Sequence, residues 1–243
     1  MLIAAAVLPH PPMLVPDVAS GAADELDGVR GACLAAIAEL QRSQPDLLVV
    51  VGAGRRDHEF PSGAKGSLRY YGVNGEFPTP DTARGQGAIN AQAESLPLSL
   101  TIAAWQLQAA GWRGATVFRS VPNESSPDAA ANVGGEYAKQ ASRVGVIAMG
   151  DGSAALTEKA PGHLVPGAVD WQQQVSSALG NADCVRILEL TAKDADRFVA
   201  AGRVAWQVLA GAAHGRAWQG QLLHDSSPYG VAYTVATWCP VAA

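Results

Sequence analysis

The densest run of reactive side chains lies between Ile147 and His163, in IAMGDGSAALTEKAPGH. Four apolar residues, Val146 to Met149, read as the end of a buried strand. The chain then breaks into Gly150-Asp151-Gly152-Ser153, a turn that glycine makes without strain. A strand running into a polar, glycine-rich loop is the usual geometry of a ligand site in an α/β protein, because strand ends converge on a crevice. Asp151, Ser153 and Lys159 form the candidate catalytic group, a carboxylate, a hydroxyl and an amine able to position a polar or anionic ligand. The plainer alternative is that the turn only joins a strand to a helix. Ser153 lacks the GxSxG elbow of a hydrolase nucleophile, and neither GAG at 52–54 nor GDG at 150–152 extends into a dinucleotide-binding GxGxxG.

A second chemistry comes from histidine. His10 sits in Pro9-His10-Pro11-Pro12, where proline fixes the backbone around it. His58 sits in GAGRRDHEF beside Asp57 and Glu59. Two histidines and one carboxylate make the open metal face of non-haem Fe(II) oxygenases, so His10 and His58 are the candidate ligands of Fe(II) or another divalent metal. The plainer reading leaves them as ordinary loop histidines with no metal. His163, His214 and His224 show no ligand spacing.

These residues need elements to carry them. Leu2 to Leu8 and Asp46 to Val51 are continuous apolar runs, expected as buried strands. Between them, Leu26, Val29, Cys33, Ile37 and Leu40 make one stripe of a helix over 24–42. That order is a βαβ unit and predicts a parallel pair, which would bring His10 and His58 to one edge. Ser67 to Val73 is expected as an edge strand and Asn74 to Gln92 as a long loop. Helices are expected over 96–110, from Ser126-Pro127 to about Arg143, over 168–180 and over 202–213; Thr191 with Asp194 is expected to cap another. Strands are expected at 115–119 and 144–149, with a strand or short connector at 185–190. A terminal hairpin is expected from Leu222-Leu223 and Tyr229 to Trp238. The alternation predicts a single α/β domain over 1–243, with a central, mostly parallel or mixed sheet flanked by helices on both faces.

Composition narrows the function. The 243 residues are 48% hydrophobic and 16% charged, enough to bury a large core. A net charge of −5 with no basic run argues against nucleic acid as a partner. The apolar N-terminus is broken at Pro9 and lacks a basic flank, which argues against a signal peptide or membrane helix. Three scattered cysteines, Cys33, Cys184 and Cys239, suit a reducing, cytoplasmic setting.

Several segments together, AAAVLPHPPMLVP, PDLLVVVGAG, LPLSLTIAAWQL, AMGDGSAALTEKAPG and SPYGVAYTVATW, resemble the class III extradiol dioxygenase (LigB-like) superfamily, in a divergent, alanine-rich actinobacterial branch distantly similar to the Memo proteins. The resemblance spans nearly the whole chain. It implies a mixed sheet flanked by helices, Fe(II) held by two histidines and a glutamate, and ring opening of a catechol with O₂. It places His10 at the first iron histidine. The second histidine's place holds Gly52 to Arg55, the catalytic histidine's place holds Ser153-Ala154, and the carboxylate's place falls near Gly202. The expectation is therefore a dioxygenase-like protein with a small-molecule ligand at the strand-end crevice, contacted by Arg55, Thr157 and Tyr229. The alternatives are a metal-free pseudoenzyme acting as a binding or partner subunit, and a metal-independent hydrolase or transferase built on Asp151, Ser153 and Lys159. A homodimer is expected by analogy with the family.

Overall fold

A computed structural model describes residues 1–80 and 95–241. The strands are β1 (Leu2–Leu8), β2 (Leu47–Gly54), β3 (His58–Phe60), β4 (Lys65–Ser67), β5 (Glu76–Pro78), β6 (Thr116–Pro122), β7 (Val144–Met149), β8 (Trp218–Ser226) and β9 (Tyr233–Pro240). The helices are α1 (Pro16–Ala19), α2 (Asp27–Arg42), α3 (Leu98–Ala109), α4 (Pro127–Tyr137), α5 (Ala168–Gly180), α6 (Cys184–Leu188), α7 (Ala192–Arg197) and α8 (Arg203–Ala212). Seven strands form one sheet in the order β3-β6-β2-β7-β1-β9-β8. β1, β7, β2 and β6 run parallel, and β3, β9 and β8 add antiparallel pairings at the two sides.

The apolar runs become central strands because both of their faces are covered. Ala4, Ala6, Leu8, Leu48 and Val50 pack under α2 and α3, whereas Ala5, Val7, Leu47, Val49 and Val51 pack under α5 and α8. Alternation along each strand sends successive side chains to opposite layers. On the second layer α4 crosses α8 at very close range. A Cβ on Gly134 would strike the carbonyl of Val208, and one on Gly211 would strike Ala131. Local signals hold at the ends: Ser126 Oγ accepts from the Ala129 N–H at the start of α4, Thr191 Oγ1 accepts from the Asp194 N–H at the start of α7, and Gly111 follows α3 with φ +65°.

Three expectations change. The βαβ reading pairs the first two strands, yet β7 is inserted between β1 and β2 and hydrogen-bonds to both. Ser67 to Val73 is the end of the short β4 and a 3₁₀ turn over Arg69–Tyr71, because its apolar Leu68 is a single buried anchor rather than part of an alternating face. Val185 to Leu190 belongs mostly to α6, started by Asp183, whose side chain accepts from the Arg186 N–H. The long loop expected over 74–92 contributes β5, and its remainder from 81 lies outside the described residues. No helix among the described residues is long and apolar enough to cross a membrane.

Candidate functional site

The parallel strands β1, β7, β2 and β6 end on one side of the sheet, and the turn from β8 into β9 reaches the same side. The segment after β7 is sewn to two others there. Gly152 N–H donates to Ala232 and Ala232 N–H to Ser153; Ala154 N–H donates to Val199 and Ala201 N–H to Asp151. Gly150 N–H donates to the carbonyl of Leu8, which carries the β1–β7 ladder past the last paired residues. Two residues after Leu8, the chain delivers His10 beside Asp151.

His10 and Asp151 are brought together. The backbone N–H of His10 donates to Asp151 Oδ1 at 2.7 Å, and His10 Nε2 lies 3.8 Å from Asp151 Oδ2. The side chains are 8% and 15% exposed, so solvent screens them little. Burial pushes the Asp151 carboxyl above its ordinary range, and His10, by its charge and its N–H, pulls only partly the other way. Tyr233, buried at the start of β9, has its phenol raised by burial and by the Asp151 carboxylate.

Three buried polar atoms without a hydrogen-bond partner belong to residues at or beside the ends of β1 and β7. They are His10 Nδ1, Gln106 Oε1 and Trp206 Nε1. Gln106 comes from α3 and anchors its amide on the carbonyl of Pro9 at 3.3 Å, which sets its free oxygen next to the His10 loop. Trp206 comes from α8 on the other layer, and its indole nitrogen lies against Gly150, where a Cβ would sit 2.7 Å from it. A void of about 10 Å³ beside Gln106, walled by Leu14, Cys33 and Trp105, is no larger than one water needs. Burying a polar group without a partner costs free energy, so three such groups at one pair of strand ends mark a place built for something polar.

The other expected site residues lie elsewhere in function or in space. Ser153 is fully buried; its Oγ donates to the Phe198 carbonyl at 2.8 Å and accepts from the Ala155 N–H at 3.1 Å. The two interactions tie the loop to the end of α7 and to itself, which commits the hydroxyl proton to the fold. Lys159 and Arg55 are exposed. Thr157 is exposed, with its hydroxyl packed close to Gly230. Tyr229 is 41% exposed, has φ +60°, and donates its hydroxyl to Glu25 Oε2 at 2.6 Å, so it straps the turn before β9 to the segment before α2.

His58 does not join His10. It opens β3, which adds antiparallel to the outer side of β6, and it packs edge-on against Phe60 at 4.7 Å. Three strands, β7, β2 and β6, separate β3 from β1, roughly 19 Å at about 4.8 Å per strand step. The acids beside His58 are committed as well: Asp57 makes a two-point contact with Arg119, and Glu59 accepts from the Tyr137 hydroxyl. Two ligands of one metal must each approach it to about 2 Å, which this separation forbids. Among the described residues no group of three or more His, Cys, Asp or Glu is disposed to hold a metal ion. The donors that the resemblance calls for thus do not fit an Fe(II) centre.

Gln106, Trp206 and Tyr233 escape a reading of the sequence. The one available signal is Gln106 itself, a polar amide inside the apolar run from Leu100 to Leu107.

No family model matches the chain, and no curated protein matches its sequence. Among solved structures it is similar to the uncharacterized protein JW3007 from Escherichia coli K12. The TM-score is 0.61 and the identity 14%, over 98% of this chain and 99% of that one. That likeness extends the α/β architecture over the whole chain and shows the fold alone.

Proposed function

We propose that this chain is a metal-independent binding protein on a LigB-like scaffold, which receives one hydroxyl group of a small molecule at the ends of β1 and β7 and does not open that molecule. The observation that carries this reading is the set of unpartnered buried atoms at the ends of β1 and β7: His10 Nδ1 in the residue paired with Asp151, Gln106 Oε1 in the amide bound to Pro9, and Trp206 Nε1 against Gly150. The amide oxygen calls for a donor and the indole N–H for an acceptor, while the imidazole nitrogen takes either role with its tautomer. A hydroxyl group supplies both, and a vicinal diol such as a catechol supplies two of each. The separation of His10 from His58 supports a reading without the metal that ring opening in the resembled superfamily uses. The protein is taken as cytoplasmic, consistent with three cysteines that are all unpaired.

Catechol is the probe. Saturation-transfer NMR on chelator-treated protein should show catechol binding that Gln106→Leu and His10→Ala both weaken by about tenfold or more. Anaerobic loading with Fe(II) should leave the protein without stoichiometric iron, and catechol should stay intact in air. Near-stoichiometric iron that His10→Ala abolishes, followed by O₂ uptake with catechol, would overturn the proposal.

A further inference from the structure

At the opposite end of the sheet, where β1 and β8 begin, a pocket of about 500 Å³ opens between α4, α8 and the first residues of the two strands. Its walls are apolar: Leu2 from β1, Ala138 at the end of α4, Ala212 and Ala213 at the end of α8, and the ring of Trp218 at the start of β8. Trp218 is held in place by its indole N–H, which donates to the Ala213 carbonyl at 2.8 Å. Gly135 contributes open space, since a Cβ built on it meets no atom within 4 Å. The size and the apolar lining are those of a small-molecule site.

The charge at the mouth selects the ligand. Lys139, His214 and Arg216 line the pocket, all three exposed, and none of their side chains forms a hydrogen bond or ion pair with a described residue. No carboxylate lines it. Three basic side chains therefore gather at one apolar opening in a chain whose net charge is −5. Burying apolar surface is favourable for a ligand's tail, and unpaired cations at the rim are favourable for an anionic head.

We infer that this pocket binds a free fatty carboxylate, with its hydrocarbon tail between α4, α8 and Trp218 and its carboxylate at Lys139 and Arg216. It lies across the sheet from His10 and Asp151, so the two sites are independent and either assignment can fail without the other. Trp218 closes the side of the pocket toward β8, which limits the length of tail that fits.

Isothermal titration with hexanoate, octanoate and decanoate on the full chain tests this. One ligand should bind per chain, tightening about fourfold for each added methylene. Decanol should bind about tenfold more weakly than decanoate, and so should decanoate to the Lys139→Ala/Arg216→Ala double variant. Gly135→Leu fills the pocket from a half-buried helix position where an added Cβ meets no atom within 4 Å, so the variant should fold, keep its far-UV spectrum and lose decanoate. No heat with decanoate at roughly millimolar concentration, equal binding of decanol, or unaltered binding to Gly135→Leu would each overturn the inference. Binding to anionic phospholipid vesicles without binding of free decanoate would overturn it too.

Discussion

Ser153→Ala separates a nucleophile from a structural hydroxyl. A nucleophile contributes little to folding and everything to turnover, whereas Ser153 Oγ is spent inside the protein. It donates to the carbonyl of Phe198 at 2.8 Å and accepts from the N–H of Ala155 at 3.1 Å, at a position with no solvent exposure. Removing the oxygen strips a partner from two buried backbone groups at once, and the space left by one hydroxyl is too small to admit a replacing water. Each orphaned group costs about 1–3 kcal/mol, so the variant should lose about 2–6 kcal/mol. For a chain of this size about 2–4 °C of melting temperature goes with each kcal/mol, which puts the expected drop at about 4–24 °C by calorimetry or far-UV melting. Lys159→Ala, in the same segment but exposed, should stay within about 0.5 kcal/mol of the parent. A Ser153→Ala protein as stable as its parent, yet unable to bind or turn over a ligand, would refute this reasoning and restore Ser153 to the chemistry.

Two further predictions concern stability. Burial raises the Asp151 carboxyl in the fold, so its stabilising contribution is full below the unfolded carboxylate pKa of about 3.9 and is lost as pH rises through the folded value. Asp151→Asn keeps an oxygen for the His10 N–H and removes that loss. Its melting temperature should exceed the parent's at pH 7, with the gap closing below about pH 4, and a gap that is constant with pH would contradict it. Neighbouring glycines in α4 should respond with opposite sign in denaturant titrations. Gly134→Ala drives a methyl into the Val208 carbonyl and should cost about 1–3 kcal/mol, whereas Gly135→Ala meets open space and should gain about 0.5–1 kcal/mol from helix propensity.

The central strands were legible because burial on both faces writes continuous apolar runs: Leu2 to Leu8 and Val144 to Met149 match β1 and β7 in both bounds. Helix ends were legible where a side chain caps them, as at Ser126 and Thr191. Val185 to Leu190 was less so, since a six-residue stretch alternating Val, Ile and Leu with Arg and Glu satisfies a strand as well as a single helical turn. What decided it was Asp183, a capping acid two residues upstream of the stretch.

The candidate site was half legible for a reason of topology. His10 and Asp151 each announce themselves locally, one among prolines and the other between glycines, but nothing local says that they meet. A βαβ reading of the first two strands puts His10 next to the loop after β2 and so selects His58. The insertion of β7 between β1 and β2 replaces that neighbour with the loop after β7 and so selects Asp151. One change of strand order therefore exchanges a two-histidine metal face for a histidine–carboxylate pair. The same insertion sets Gly150 beside Leu8, and it lets α3 from one layer and α8 from the other present Gln106 and Trp206 to a single pair of strand ends. Each of those two residues reads in its own helix as ordinary core. Their unpartnered atoms acquire a meaning only when the order of the sheet is known, because that order sets the ends of β1 and β7 side by side, with Gln106 at Pro9 and Trp206 at Gly150.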